Sequence, residues 1–270
     1  MDHRTVAQRD VRERSRLAER ASRFGAAVIR WLRRIRSRLL GLRERVRMAW
    51  VILPYLQHRH AHTLDHAWYE MDVDRVTIVN TLVARSKGRR YLEIGCANDA
   101  CFAQVDAAHK VGVDPMQGGT HRMTSDAFFA ESDERFDVVF IDGDHTYEQA
   151  RRDLVNALER VVVGGWVVMH DVIPRTWLEE HVPPLQGTWT GDVWKVAVDL
   201  AAADGVTLQI VLVDHGVAVV RKDHANPVVP RALGPAANQL RFRAFLRHYE
   251  ALPTVSHAAW RHALTVRPPG

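Results

Sequence analysis

The sequence predicts a doubly wound, mostly parallel α/β sheet that ends in an antiparallel hairpin and carries a long N-terminal helical extension. Three observations predict it. Four short apolar runs each deliver acidic residues or glycine at their ends: Tyr91-Leu92-Glu93-Ile94-Gly95, Val111-Gly112-Val113-Asp114, Phe140-Ile141-Asp142-Gly143-Asp144-His145 and Trp166-Val167-Val168-Met169-His170-Asp171. Runs apolar on both faces belong to buried parallel strands, and polar groups at their carboxyl ends line a ligand crevice. Helical segments separate these runs, which is the alternation of a parallel sheet. Finally, Leu208–Val213 and Gly216–Val220 are apolar runs joined only by Asp214-His215, a hairpin spacing.

The first fifty residues read as an amphipathic helix. Leu32, Ile35, Leu39, Leu42 and Val46 recur three or four residues apart on one face, and Leu17, Ala21, Phe24 and Val28 continue the stripe upstream. Residues 1–50 hold fifteen Arg against five acidic residues, whereas the remaining chain holds 22 basic and 27 acidic residues. The basic character thus belongs to one segment and the body is mildly acidic, which argues against nucleic acid as the substrate of the body. For residues 1–53, a partner helix, an anionic membrane surface and packing on the chain's own body remain alternatives.

Element by element, the second helix is expected over 64–87, capped by Thr63 or Asp65 and stopped by Gly88. Then follow a strand at 90–94, a helix at 98–106, a strand at 110–114, a helix at 124–131, a strand at 137–142, a helix at 146–160, a strand at 164–169, a helix at 192–203 and the hairpin. A Pro-rich linker from 224 leads to a helix near 236–249, after which the tail is expected to fray. Domain bounds follow as 1–60 for the basic extension, 61–223 for the sheet domain and 224–270 for the linker and C-terminal helix. The charged start lacks a signal-peptide core, and Cys96 and Cys101 form no disulfide framework or metal spacing, so a cytoplasmic protein is expected, with the inner membrane face as an alternative site of residence. No apolar run near the N-terminus is long enough to span a bilayer.

At the first strand-to-helix turn only Gly95 is present, so the G-x-G-x-x-G dinucleotide fingerprint is missing, and no phosphate loop occurs elsewhere. Asp114 ends the second strand about twenty residues after Gly95, where an acid receives ribose hydroxyls. Thr124-Ser125-Asp126 reads as a helix cap, as an adenine contact through Asp126, or both. Asp142, Asp144, His145, His170 and Asp171 lie at the ends of two strands expected to be neighbours and should converge.

With those residues in view, the chain resembles the class I methyltransferases dependent on S-adenosylmethionine. The closer likeness is to the branch with D-G-x-H-x-Y-E-x-x-x-x-D after one strand and G-G-x-x-x-x-H-D after the next. Here these are Asp142-Gly143-Asp144-His145-Thr146-Tyr147-Glu148 with Asp153, and Gly164-Gly165 with His170-Asp171. Asp114-Pro115, the stretch from Gly118 to Asp126 and Trp189-Thr190-Gly191-Asp192-Val193-Trp194-Lys195 also look like members from bacterial glycan or secondary-metabolite pathways. The resemblance covers about residues 89–222.

It implies a Rossmann-like methyltransferase fold, S-adenosylmethionine as cofactor with Mg²⁺ as an optional second one, and O-methylation of a sugar or glycosylated metabolite. Carried over by position, Glu93, Gly95, Asp114, Ser125 and Asp126 would bind the cofactor. His145 would act as the base, with Asp142 and Asp171 beside it. The same two carboxylates with His170 would hold the metal. Trp189, Asp192, Trp194 and Lys195 read either as a surface that meets the acceptor or as a helix cap at Asp192 with Trp194 in the core. The expected partners are a small-molecule or glycan acceptor, with no nucleic acid, and a homo-oligomer is compatible with the pattern. Relatives carry more glycines after the first, whereas this chain has Ala97 and Asp99. An Asp99 carboxylate near the methionine end would repel the cofactor's own. The alternative is therefore a degenerate binding or scaffold protein on the same fold, tethered by its basic helix. Asp153 is expected to face solvent or an arginine.

Overall fold

A computed structural model describes residues 46–68 and 71–266. Most of the expected N-terminal extension, including the stripe from Leu17 to Leu42, lies outside the described residues, and residues 46–52 are helical. The chain divides into two compact units, one ending at Leu56 and one comprising residues 57–270. Among the described residues no helix is long and apolar enough to cross a membrane.

The second unit is built on a seven-stranded sheet of order β2-β1-β3-β4-β6-β5-β7. Its strands are β1 (Arg90–Ile94), β2 (His109–Val113), β3 (Phe136–Ile141), β4 (Val161–Met169), β5 (Val206–Val211), β6 (Val217–Lys222) and β7 (Thr254–Val255). The first four are mutually parallel, and β6 runs antiparallel to both β4 and β5. The doubly wound, mostly parallel sheet ending in an antiparallel hairpin, expected from the apolar runs, is therefore present. Leu92, Val138, Val139, Phe140, Val167 and Val168 have no exposed surface. Each such side chain contributes about 1.5–3 kcal/mol by leaving water, which is why these runs form the centre of the sheet.

Among the described residues the unit has seven α-helices: α1 (Arg75–Arg85), α2 (Ser125–Glu131), α3 (Tyr147–Arg160), α4 (Trp177–Glu180), α5 (Trp194–Ala201), α6 (Phe242–Tyr249) and α7 (His257–Val266). α1 is much shorter than the 64–87 expected. Asp74 is the cap, accepting from Thr77 N at 3.1 Å, while the Leu64 amide donates to Arg175 O at 2.9 Å and so leaves the helical pattern. Gly88 is not the stop. The helix ends at Arg85, and a Cβ on Gly88 would lie 2.6 Å from Asp137 Oδ2, so packing explains that glycine.

The helix expected at 98–106 shrinks to a 3₁₀ turn, Phe102–Gln104, because Ala97 and Asp99 take left-handed φ of 44° and 62°. The tail does not fray after Tyr249. β7 extends the sheet parallel to β5, and α7 buries Trp260 completely.

α4 and α5 enclose a buried acid. Glu180 is 1% exposed and accepts from Trp194 Nε1 at 3.2 Å. Burial pushes its carboxyl up to about 8, although Trp194 and Lys195 pull the other way. The folded carboxyl then keeps its proton where an unfolded one, near 4.5, has lost it. Unfolding between those values releases a proton, so stability falls as pH rises through the window and levels off above it. Glu180→Gln is expected to remove that slope and to stabilise the protein at pH 8 by roughly 4 kcal/mol. Urea midpoints at pH 5 and 8 check this, and parallel losses in both proteins would refute it.

Candidate active site

The sheet order reverses direction between β1 and β3, and there the carboxyl ends of the strands open a crevice. Asp142 N donates to Ile94 O at 2.8 Å and Gly95 N to Val113 O at 2.9 Å, which ties the ends of β1, β2 and β3 together. Gly95 has φ of 89°, and a Cβ there would lie 2.2 Å from the Asp142 carbonyl. The glycine is thus demanded by this close approach of backbones.

Beside it lies a cavity of about 460 Å³ lined by Gly95, Ala97, Asp114, Ser125, Asp126, Asp142 and Gln149, among others. A larger one, about 710 Å³, lies among Arg85, Trp166 and Trp260 and contains none of the strand-end carboxylates, so chemistry favours the smaller.

Asp114 organises the cavity mouth. One carboxylate oxygen accepts from Ala97 N at 2.9 Å, and the other from Met116 N at 2.7 Å and Gln117 N at 2.9 Å. Burial opposes the charge, but these amides and Arg122 hold the carboxyl below its ordinary range. Thr124, not Ser125, caps α2 by accepting from Ala127 N at 3.2 Å. That leaves Ser125 and Asp126 on the cavity wall, where Gln149 Nε2 donates to Ser125 Oγ at 3.2 Å and to Asp153 Oδ1 at 3.0 Å. Asp153 does not face solvent. It is 1% exposed, and burial raises its carboxyl to about 6.

Two cofactor-side expectations need correction. Glu93 does not line the cavity. Its side chain shares the face of Tyr91, whose hydroxyl donates to it, and burial pushes it up to about 7. Asp99 also turns away: its Oδ1 accepts from Gly119 N at 2.7 Å, so its carboxylate braces the loop after β2 and does not line the cavity.

At the ends of β3 and β4 the expected convergence occurs for Asp142, His145, His170 and Asp171, whereas Asp144 accepts from Thr146 N at 2.9 Å and lines the cavity instead. His145 Nε2 lies 3.4 Å from Asp142 Oδ1, and its Nδ1 lies 3.3 Å from Asp171 Oδ2 and 3.0 Å from Trp189 O. His170 Nδ1 lies 3.1 Å from Asp142 Oδ1 and 3.4 Å from Asp171 Oδ2. Burial disfavours charge on both imidazoles, yet Asp142 and Asp171 raise them; Asp142 itself, despite burial, is held well below its usual range by His170 and His145. The left-handed φ of 59° at Asp171 marks a backbone bent to serve this arrangement. Asp142, His170 and Asp171 each offer a ligand atom, all within 4.8 Å of one another. Two carboxylates and an imidazole suit a divalent cation, so the residues fit the expected metal.

The acceptor-side expectation holds together for Trp189 only as geometry. Trp189 stacks on His145 with ring centroids 5.3 Å apart at 27°, and its Nε1 donates to His181 O at 2.8 Å. Trp194 and Lys195, in contrast, have no exposed surface and cannot reach an acceptor. Lys195 Nζ pairs with Asp192 Oδ2 at 2.6 Å, and Asp192 Oδ1 accepts from Tyr147 N at 2.6 Å, capping α3 from outside it. Asp192, 6% exposed, is likewise spent on structure.

Two residues to which the sequence reading gave no part in the site join the cluster. Arg75, the first residue of α1, donates through Nη1 to Asp214 Oδ2 at 2.7 Å and sets Nε 3.5 Å from Asp142 Oδ2. Asp214, in the β5–β6 turn, lies 3.4 Å from His170 Nε2. A signal for Asp214 existed: β5 runs in the same direction as β4, with β6 antiparallel between them, so its turn emerges on the same edge.

Residues 55–172 match the family model described as a methyltransferase domain. No curated protein matches the chain by sequence. Among solved structures the chain is similar to MycE, a methyltransferase from the mycinamycin biosynthetic pathway solved with Mg and SAH, at 18% identity over 54% of this chain and 48% of that one (TM-score 0.39). It therefore spans about half of that relative's length. It is similar as well to an O-methyltransferase from Bacillus cereus solved with SAH, at 15% identity over 64% of this chain and 89% of that one (TM-score 0.42). A third is the O-methyltransferase TomG from Streptomyces achromogenes solved with SAM, at 16% identity over 57% of this chain and 83% of that one (TM-score 0.45).

Proposed function

We propose that this chain, whose residues 55–172 match a methyltransferase-domain model, transfers a methyl group from S-adenosylmethionine to a hydroxyl of a sugar or glycosylated metabolite. The observation that carries the reading is the pairing of two neighbouring sites on one sheet edge. Asp114 stands at the mouth of a cavity where ribose hydroxyls would be received, and Asp142 belongs both to that cavity and to the imidazole cluster. The acceptor class rests on the motif likeness from Asp142 to Glu148 and from Gly164 to Asp171.

When bound, S-adenosylmethionine supplies an electrophilic methyl that leaves a neutral thioether, and a divalent cation on Asp142, Asp171 and His170 would lower the pKa of the acceptor hydroxyl. The protein's own part is to hold the oxygen in line and take its proton. His145 suits that task. The Trp189 carbonyl can only accept, so Nδ1 of His145 carries the hydrogen there and Nε2 is left to receive the acceptor's proton. Asp142, 3.4 Å from Nε2, stabilises the imidazolium that forms. Trp189, stacked on the ring, holds its plane and offers an aromatic surface beside it.

Calorimetric titration with S-adenosylhomocysteine, followed by a hydroxyl-acceptor screen with and without divalent cation, tests the reading. Micromolar binding and methylation of a glycosylated hydroxyl are the expected results. Well-folded protein that binds no S-adenosylhomocysteine would instead favour the scaffold alternative. For residues 1–53 we retain contact with an anionic membrane surface or a partner helix. The full chain is expected to bind anionic vesicles more strongly than a chain starting at Met48, and equal binding would refute the membrane contact.

A further inference from the structure

Asp214, His215 and Gly216 take three consecutive left-handed conformations, with φ of 43°, 59° and 80°. For a residue other than glycine this costs on the order of 1 kcal/mol, and such strain persists where surrounding contacts over-determine it. Asp214 has those contacts. Its Oδ2 accepts from Arg75 N at 3.2 Å and from Nη1 at 2.7 Å, which turns Oδ1 toward His170 Nε2 at 3.4 Å. The His170 side chain is only 7% exposed, and its Nε2 forms no hydrogen bond among the described residues. A buried ring nitrogen without a hydrogen bond, 3.4 Å from a carboxylate held in a strained turn, needs an explanation. The other ring nitrogen faces Asp142 and Asp171.

Metal-bound histidines share this layout: one nitrogen on the metal, the other N–H turned to a carboxylate that fixes tautomer and ring plane. All-oxygen ligand sets suit Mg²⁺, and an imidazole nitrogen moves preference toward transition-metal dications. We propose that Asp214, steered by Arg75, is a positioning residue that presents His170 Nδ1 between Asp142 and Asp171, and that the resulting nitrogen-and-oxygen site takes Mn²⁺ in preference to Mg²⁺. This rests on the assignment of Asp142, Asp171 and His170 as metal ligands in the proposed function. It goes beyond that assignment by naming the residue that orients the histidine and the class of cation selected.

The test is calorimetry with MnCl₂ and MgCl₂ on the full chain, without methyl donor or acceptor, together with the electron paramagnetic resonance spectrum of bound Mn²⁺. Wild type is expected to bind Mn²⁺ at least tenfold more tightly than Mg²⁺. Asp214→Asn, a substitution that tolerates the left-handed backbone, is expected to weaken Mn²⁺ binding by about 10–100-fold and alter the spectrum. Should that variant fold poorly, His170→Gln serves: it should bring the Mn²⁺ and Mg²⁺ affinities to within about threefold of each other, since both sets of ligands are then oxygen. Equal affinities in wild type, no metal binding at all, or Asp214→Asn binding Mn²⁺ as wild type does would each overturn the proposal. S-adenosylhomocysteine titrated into the same preparations separates the two readings. Its failure with the metal results intact sinks the methyltransferase activity alone, and the converse sinks this inference alone.

Discussion

Replacing His145 by Gln is expected to lower kcat for methyl transfer by about 10²–10⁴-fold while leaving S-adenosylhomocysteine affinity within about threefold of wild type. The split follows from where the side chain stands. His145 does not line the cavity beside Asp114, so the donor loses no contact when it changes. Gln keeps a donor for the Trp189 carbonyl and a similar length, so the loop after β3 has no reason to move. What disappears is a nitrogen able to carry a proton, and with it the group that Asp142 and Asp171 flank at 3.4 and 3.3 Å. Asp171→Asn should then have a smaller effect on proton transfer, because His145 and its Trp189 anchor remain. Single-turnover rates with saturating donor, beside calorimetry on the same variant, check the prediction. A kcat within fivefold of wild type would remove His145 from the base role and leave activation of the hydroxyl to another group.

Why His145 was legible and Arg75 was not is a matter of chain distance. The strands announce themselves because Val138, Val139, Phe140 and Val167 must be buried on both faces, and a run of that kind has few other places to go. A residue at the end of such a run inherits its position from the strand, so Asp142, His145, His170 and Asp171 converge, and Asp114 reaches the same sheet edge, for the same reason the sheet forms. Arg75 and Asp214 are 139 residues apart and meet only because α1 and the β5–β6 turn arrive at that edge. No local pattern encodes such a meeting.

The errors have the opposite cause. Trp189, Asp192, Trp194 and Lys195 looked like a binding surface because polar and aromatic types alternate there. A lysine reads as exposed until its partner is known, and the Asp192 carboxylate at 2.6 Å is what lets Lys195 stay buried. Glu93 misled similarly: the strand's alternation puts it on the face of Tyr91, with its carboxyl kept inside by that hydroxyl. Asp99 looked repulsive on the assumption that the turn continued as a helix. The left-handed residues at 97 and 99 break that helix and aim the carboxylate at Gly119 instead.

Replacing Asp114 by Asn is expected to weaken S-adenosylhomocysteine binding by about 100-fold or more, close to 2.7 kcal/mol. Three backbone amides converge on the carboxylate, from Ala97 on one side of the cavity mouth and Met116 and Gln117 on the other. An ionised acid can accept from all of them, and hydrogen bonds to a charged group contribute about 1.5–3 kcal/mol each. An asparagine has one carbonyl oxygen, so whichever way its amide is set, an NH₂ must oppose at least one N–H. The Ala97 amide sits on a left-handed residue with φ of 44°, a conformation whose cost is offset in part by this bond. Loss of the bond frees that turn to relax, so the variant should lose ribose recognition and cavity shape together. Asp126→Ala offers the contrast. Its carboxylate is 49% exposed and 3.6 Å from Arg152, so its removal should weaken binding only severalfold. Calorimetry on both variants, with thermal unfolding to show that each remains folded, decides the matter. Equal losses at the two positions would mean that the cavity mouth is not where the ribose binds, and the donor would have to be sought elsewhere along the cavity, nearer Gly143 and Asp144.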